Sequence, residues 1–126
     1  TLSTELAKSA ADVNAKVAAS VGPYGAALAD GSEYRGRYGV SNSKLREFHE
    51  RRLEILISTE PDYLALETMP DMQEVEVLLD LISEFNANIP FWVSYSCNSN
   101  WWINCYTLNY LIFSHVLFDL LLSKFL

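Results

Sequence analysis

Apolar positions in the first 96 residues fall into short continuous runs separated by amphipathic stretches. Residues 3–15 are alanine-rich and predict a helix. VAASV, residues 17–21, is a short apolar run stopped by Gly22-Pro23, the pattern of a strand covered on both faces of a parallel sheet. Residues 22–42, GPYGAALADGSEYRGRYGVSN, show no period and predict a long loop, a kind of segment that is often functional. From Ser43 to Ser58, Leu45, Phe48, Leu53 and Leu56 recur at helical spacing. Lys44, Arg46, Glu47, Glu50, Arg51 and Glu54 are left for solvent, with Glu47 and Arg51 spaced for a favourable ion pair. Pro61 closes the connection, and YLALETM, Tyr63–Met69, is a second strand. Pro70 and Asp71 then open a helix. Asp71 is placed to cap it, and Glu74 three residues on is placed to complete a reciprocal capping box. Met72, Val75, Leu78, Leu79, Ile82 and Phe85 form its apolar face, and FWVSYS, residues 91–96, is a third strand after the Asn86–Pro90 turn. This βαβαβ order implies parallel strands joined by right-handed crossovers.

The pattern changes beyond Asn98. Asn100–Phe118 contains no Asp, Glu, Lys or Arg, and Asp119 and Lys124 are the only such residues after it. Three readings are open: a membrane span over Tyr106–Leu126, a helix buried in a larger assembly, or a segment foreign to the preceding domain. Asn109, His115, Asp119 and Lys124 speak against a span, since an aspartate at a helix centre costs about 2.5–3.5 kcal/mol to insert. The expected division is a domain over residues 1–99 and an unrelated hydrophobic tail over 100–126.

Charge narrows the partners. Sixteen acidic residues against nine basic ones give a formal net charge of -7, which disfavours a nucleic-acid partner. Cys97 and Cys105 stand in no zinc-binding spacing. The first residues, TLSTELAKSAADVNAK, lack the apolar core of a signal peptide, and a reducing, cytoplasmic compartment is expected. No membrane partner is expected.

Glu67 is the most informative residue, because it breaks an apolar strand at its C-terminal end, where ligands of parallel α/β folds bind. It is either a local cap or pair, or an anchor for a cation such as an amino-acid ammonium. Gly22-Pro23-Tyr24-Gly25 occupies the same topological position after the first strand, as a structural turn or as a binding loop. It is neither a dinucleotide fingerprint nor a phosphate-binding loop of the Walker type. Asp30, Glu33, Tyr34, Arg35 and Arg37 crowd the same loop, a run that is commonly a solvated surface. His49 lies on a charged helix and reads as a surface residue. His115 has no partner nearby in sequence. Cys97, at the end of the third strand, is open to a packing or a functional reading.

VAASVGPYGAALADGSEYRGRY, YLALETMPDMQEVEVLL and FWVSYSC together resemble the homocysteine S-methyltransferases, especially the group that uses S-methylmethionine. The resemblance covers residues 1 to about 99 and implies a partial (β/α)8 barrel, roughly strands three to five with their helices. It further implies methyl transfer from S-methylmethionine or S-adenosylmethionine to homocysteine, giving methionine. Family members hold a zinc ion in three cysteine thiolates, which keeps the homocysteine sulfur a nucleophile. By the same resemblance, Glu67 binds the homocysteine amino group, and Ser20, Gly22, Tyr24 and Gly25 border the pocket. Asp30, Glu33, Tyr34 and Arg35 belong to the adjoining loop, while Cys97 is not a zinc ligand. The family's zinc-binding motifs are absent from this chain. A barrel of this kind takes about 250 residues, so the segment is expected to be inactive alone and to bind no zinc. The alternative is a nonenzymatic fragment or pseudoenzyme that keeps part of a homocysteine-binding surface. Self-association through an exposed sheet edge or the hydrophobic tail is also expected.

Overall fold

The computed structural model describes residues 2–96. Three parallel strands, β1 (Ala18–Val21), β2 (Tyr63–Met69) and β3 (Phe91–Tyr95), lie side by side in the order β1-β2-β3. Helix α3 (Asn42–Ser58) lies between the first two in sequence and α4 (Met72–Glu84) between the second and third. This is the expected partial barrel: three adjacent parallel strands and the two helices that join them, in a sheet that does not close on itself among the described residues.

Each strand presents alternate residues to opposite faces. Ala19 and Val21 of β1 and Leu64 and Leu66 of β2 point to the face that packs with α3 and α4. All four are buried there with Leu45, Leu53, Val75, Leu78 and Leu81. Phe91, Val93 and Tyr95 of β3 extend the same layer and are half-buried. A leucine taken fully out of water contributes about 1.5–3 kcal/mol, so this one layer supplies most of the cohesion.

Helix α4 starts where Asp71 places it, and α3 starts at Asn42, one residue before the expected Ser43. The Ser41 hydroxyl accepts the Lys44 N–H at 3.3 Å to cap α3, and the Asp71 carboxylate accepts the Glu74 N–H at 3.4 Å to cap α4. On the outer surface Arg46 pairs with Glu50 and Glu84, tying α3 to α4. In place of the expected Glu47–Arg51 pair stand two i,i+3 pairs, Lys44–Glu47 at 3.0 Å and Arg51–Glu54 at 2.5 Å.

Two local expectations are corrected. Helix α1 ends at Ala10 rather than near residue 15 (Leu2–Ala10), because Asp12 turns the chain by accepting the Asn14 N–H. The stretch 22–42 is not structureless: it contains a short helix, α2 (Tyr24–Leu28), and a 3-10 turn over Ser32–Tyr34. A five-residue helix is too short to print a period on the sequence.

Candidate functional site

The polar residues collect at the carboxyl ends of the strands. β2 and β3 keep register through Leu66↔Val93, and then Met69 pairs with Tyr95, so β2 carries one extra residue. Glu67 and Thr68 form this bulge. Thr68 has φ 63°, a left-handed conformation that costs a β-branched residue on the order of 1–3 kcal/mol. Its N–H donates to Ser94 Oγ at 3.3 Å, and the Ser96 N–H donates to the Met69 carbonyl at 2.9 Å just beyond. Glu67 is half-buried and reaches back over β1, where the Ser20 hydroxyl donates to its Oε1. Ser20 pairs in register with Ala65, two residues before Glu67, so the strand alternation brings both side chains to one face.

The loop after β1 lies across these ends. Gly22 has open space where a Cβ would stand. Gly25 does not: a Cβ there would lie 2.5 Å from the Glu33 backbone nitrogen and 2.7 Å from the Tyr38 ring. Asp30 accepts the Ser32 N–H at 2.9 Å and the Ser32 hydroxyl, with Arg35 3.9 Å away. The Ser32 hydroxyl, its N–H and Arg35 hold the Asp30 carboxyl below its usual range. The Glu33 carbonyl accepts from the Ser96 hydroxyl at 3.3 Å, joining the loop to the end of β3. One Glu33 carboxylate oxygen is buried without a hydrogen-bond partner. Tyr34 is largely exposed.

His49 overturns its surface reading. It is fully buried, and its Nε2 stands 2.6 Å from Glu74 Oε1. Glu74, also fully buried, does not complete the capping box. Its carboxylate instead accepts the Tyr24 N–H at 2.5 Å and the Tyr38 hydroxyl at 3.0 Å. The rings of Tyr24, Tyr38, Phe48 and His49 pack edge to face at 4.8–5.3 Å between centroids. Burial, and then the Glu74 charge, pushes the Tyr38 hydroxyl well above the usual tyrosine range. The signal for His49 was present in the sequence: Leu45, His49 and Leu53 share one four-residue stripe, and both leucines are fully buried.

Among the described residues no group of three or more His, Cys, Asp or Glu is placed to hold a metal ion. That part of the chain does not fit a zinc centre. Cys97, Cys105, His115 and the hydrophobic tail lie outside the described residues. No described helix is long and apolar enough to cross a membrane.

A parallel strand–helix repeat with its polar residues gathered at one rim of the sheet defines a segment of a (β/α) barrel. The homocysteine S-methyltransferase family matches residues 1–106, and the chain belongs to that family. The match runs a few residues past the limit read from the quoted motifs. Homocysteine S-methyltransferase 1 of Brassica oleracea var. italica is 50% identical over 84 residues, covering 65% of this chain and 26% of the relative. Homocysteine S-methyltransferase 3 of Arabidopsis thaliana is 52% identical over 82 residues, covering 64% and 24% respectively. The metallated crystal structure of the Escherichia coli homocysteine methyltransferase MmuM superposes with a TM-score of 0.64 at 40% identity. That superposition covers 77% of this chain and 33% of the bacterial enzyme. The chain thus spans about a quarter of the length of the curated relatives it matches.

Proposed function

We propose that this chain carries the homocysteine-binding rim of a homocysteine S-methyltransferase barrel. Glu67 receives the homocysteine ammonium, and Ser20 orients that carboxylate. The observation that carries the reading is their hydrogen bond across the ends of β1 and β2, on a rim open to a ligand. Gly22, Tyr24 and Gly25 border the pocket, and Asp30, Glu33, Tyr34 and Arg35 form its loop wall. The methyl donor is S-methylmethionine or S-adenosylmethionine. The chemistry is an in-line displacement: the homocysteine sulfur takes the methyl group, and the donor sulfonium leaves as a neutral thioether. In a complete barrel, cysteine thiolates supplied by the rest of the fold would hold a zinc ion, which would keep the homocysteine sulfur a nucleophile. Residues 1–99 form the barrel segment and 100–126 a tail of unrelated sequence. This chain alone binds homocysteine without turning it over, and it resides in the cytoplasm.

Calorimetric titration of homocysteine into the full chain tests the reading, with Glu67→Gln as comparison. Charge-assisted hydrogen bonds are worth about 1.5–3 kcal/mol, so the variant should bind roughly ten- to a hundred-fold more weakly. Equal binding by the two proteins refutes the anchor role. Methyl transfer to homocysteine by the isolated chain refutes its inactivity.

A further inference from the structure

The buried groups around Glu74 do more than fill the core. Asp71 and Glu74, one turn apart at the start of α4, hold the loop after β1 at both of its ends. Glu74 takes the Tyr24 N–H at the loop's beginning. At its end, the Tyr38 hydroxyl reaches Glu74, and the Arg37 N–H donates to Asp71 at 2.7 Å. His49 braces the Glu74 carboxylate from α3. A Cβ on Gly36, whose φ is 61°, would run into the Asp71 carboxylate, so the loop enters this clasp only with a glycine there. Between the two fastened ends, the Ser32–Tyr34 turn reaches the end of β3 through Ser96.

We infer that Glu74, with His49 and Asp71, is a positioning device that clasps the loop over the strand ends and so sets the shape of the pocket. The residues act through the loop and touch no substrate. The inference rests on the proposed homocysteine site only for its effect on binding, because the clasp itself is a property of the free chain.

Hydrogen exchange on the full 126-residue chain tests it, comparing Glu74→Gln, Tyr38→Phe and a control, Leu78→Ala. Leu78 is buried on the same helix and makes no part of the clasp. In Glu74→Gln and Tyr38→Phe the amides of Tyr24, Gly36 and Arg37 should exchange roughly ten-fold faster or more, while Leu64 and Leu66 of β2 change less. Leu78→Ala should accelerate the β2 amides at least as much as the loop. If the loop and β2 accelerate together in Tyr38→Phe as in the control, Glu74 is core filling and the inference is wrong. Tyr38→Phe keeps the ring against Tyr24, so it decides the matter even if Glu74→Gln does not fold. As a second readout, Tyr38→Phe should weaken homocysteine binding, whereas Leu78→Ala, with at least as large a fall in the midpoint of urea unfolding, should leave it nearly unchanged. Unchanged binding by a variant with a loosened loop overturns the positioning role. Should the unmodified chain bind no homocysteine, the proposed function fails, and the exchange pattern still decides the clasp.

Discussion

Neighbouring residues of the same strands face opposite conditions on the two sides of the sheet. Toward the helices, Ala19, Val21, Leu64 and Leu66 are at most 5% exposed. Toward the other side, Ala18, Ser20 and Ser94 are exposed, Tyr63, Glu67 and Trp92 are half-buried, and only the small Ala65 is buried. Tyr63 and Trp92 rest on each other there with ring centroids 6.0 Å apart. One face is thus a finished core and the other is what a closed barrel would turn inward. The difference separates stability from function: cohesion comes from the covered side, and the candidate binding groups project from the open one.

Four substitutions test that separation, the most damaging first. Leu66→Ala, on the covered face, should cost about 2–5 kcal/mol in urea unfolding. A loss well under 1 kcal/mol would mean that the helices do not grip the sheet as described. Trp92→Ser, on the open face, should cost roughly 1 kcal/mol, the worth of an aromatic pair, and should reduce self-association measured by light scattering. Light scattering equal to that of the unmodified chain would mean that the open face drives no self-association. Ser20→Ala should leave stability within about 0.5 kcal/mol while weakening homocysteine binding, and a stability loss as large as that of Leu66→Ala would make Ser20 a core residue.

Asp62→Asn should have the smallest effect, and one that depends on pH. The Asp62 carboxylate accepts the Val17 N–H at 2.8 Å and pairs with Lys16 at 2.9 Å. The Val17 N–H first, then Lys16, hold its carboxyl below the usual aspartate range. A depressed carboxyl stabilises the fold above its unfolded value and loses that contribution as pH falls through its folded value. The variant should therefore be slightly weaker at neutral pH, with the gap closing as pH drops below about 4. A gap that persists at lower pH would assign the effect to something other than ionisation.

Much of this architecture is legible in local sequence. Short apolar runs bounded by turn residues mark the three strands, and Asp71 announces the start of α4. The meeting of Ser20 with Glu67 follows from two strand ends and their alternation. The clasp is not legible in the same way. Glu74 meets Tyr24 and Tyr38, 50 and 36 positions earlier, and short-range rules instead assigned its carboxylate to its own helix cap. His49 was masked by charged neighbours, although its place between Leu45 and Leu53 on one helical stripe puts it inside. The small helix and turn after β1 exist because tertiary contacts hold them, and five residues cannot establish a helix by propensity.

The interlock between Gly36 and Asp71 has a consequence for how relatives of this chain can diverge. At position 36 a side chain is opposed twice, by the left-handed backbone and by the carboxylate beside it. Of the residues with a side chain, asparagine and aspartate are among those that tolerate that backbone best, and either would need something shorter than aspartate at position 71 to make room. The two positions are therefore bound to change together or not at all. Across an alignment of relatives they should appear as a covarying pair, 35 places apart, in chains that otherwise vary freely over the outer surface of α3.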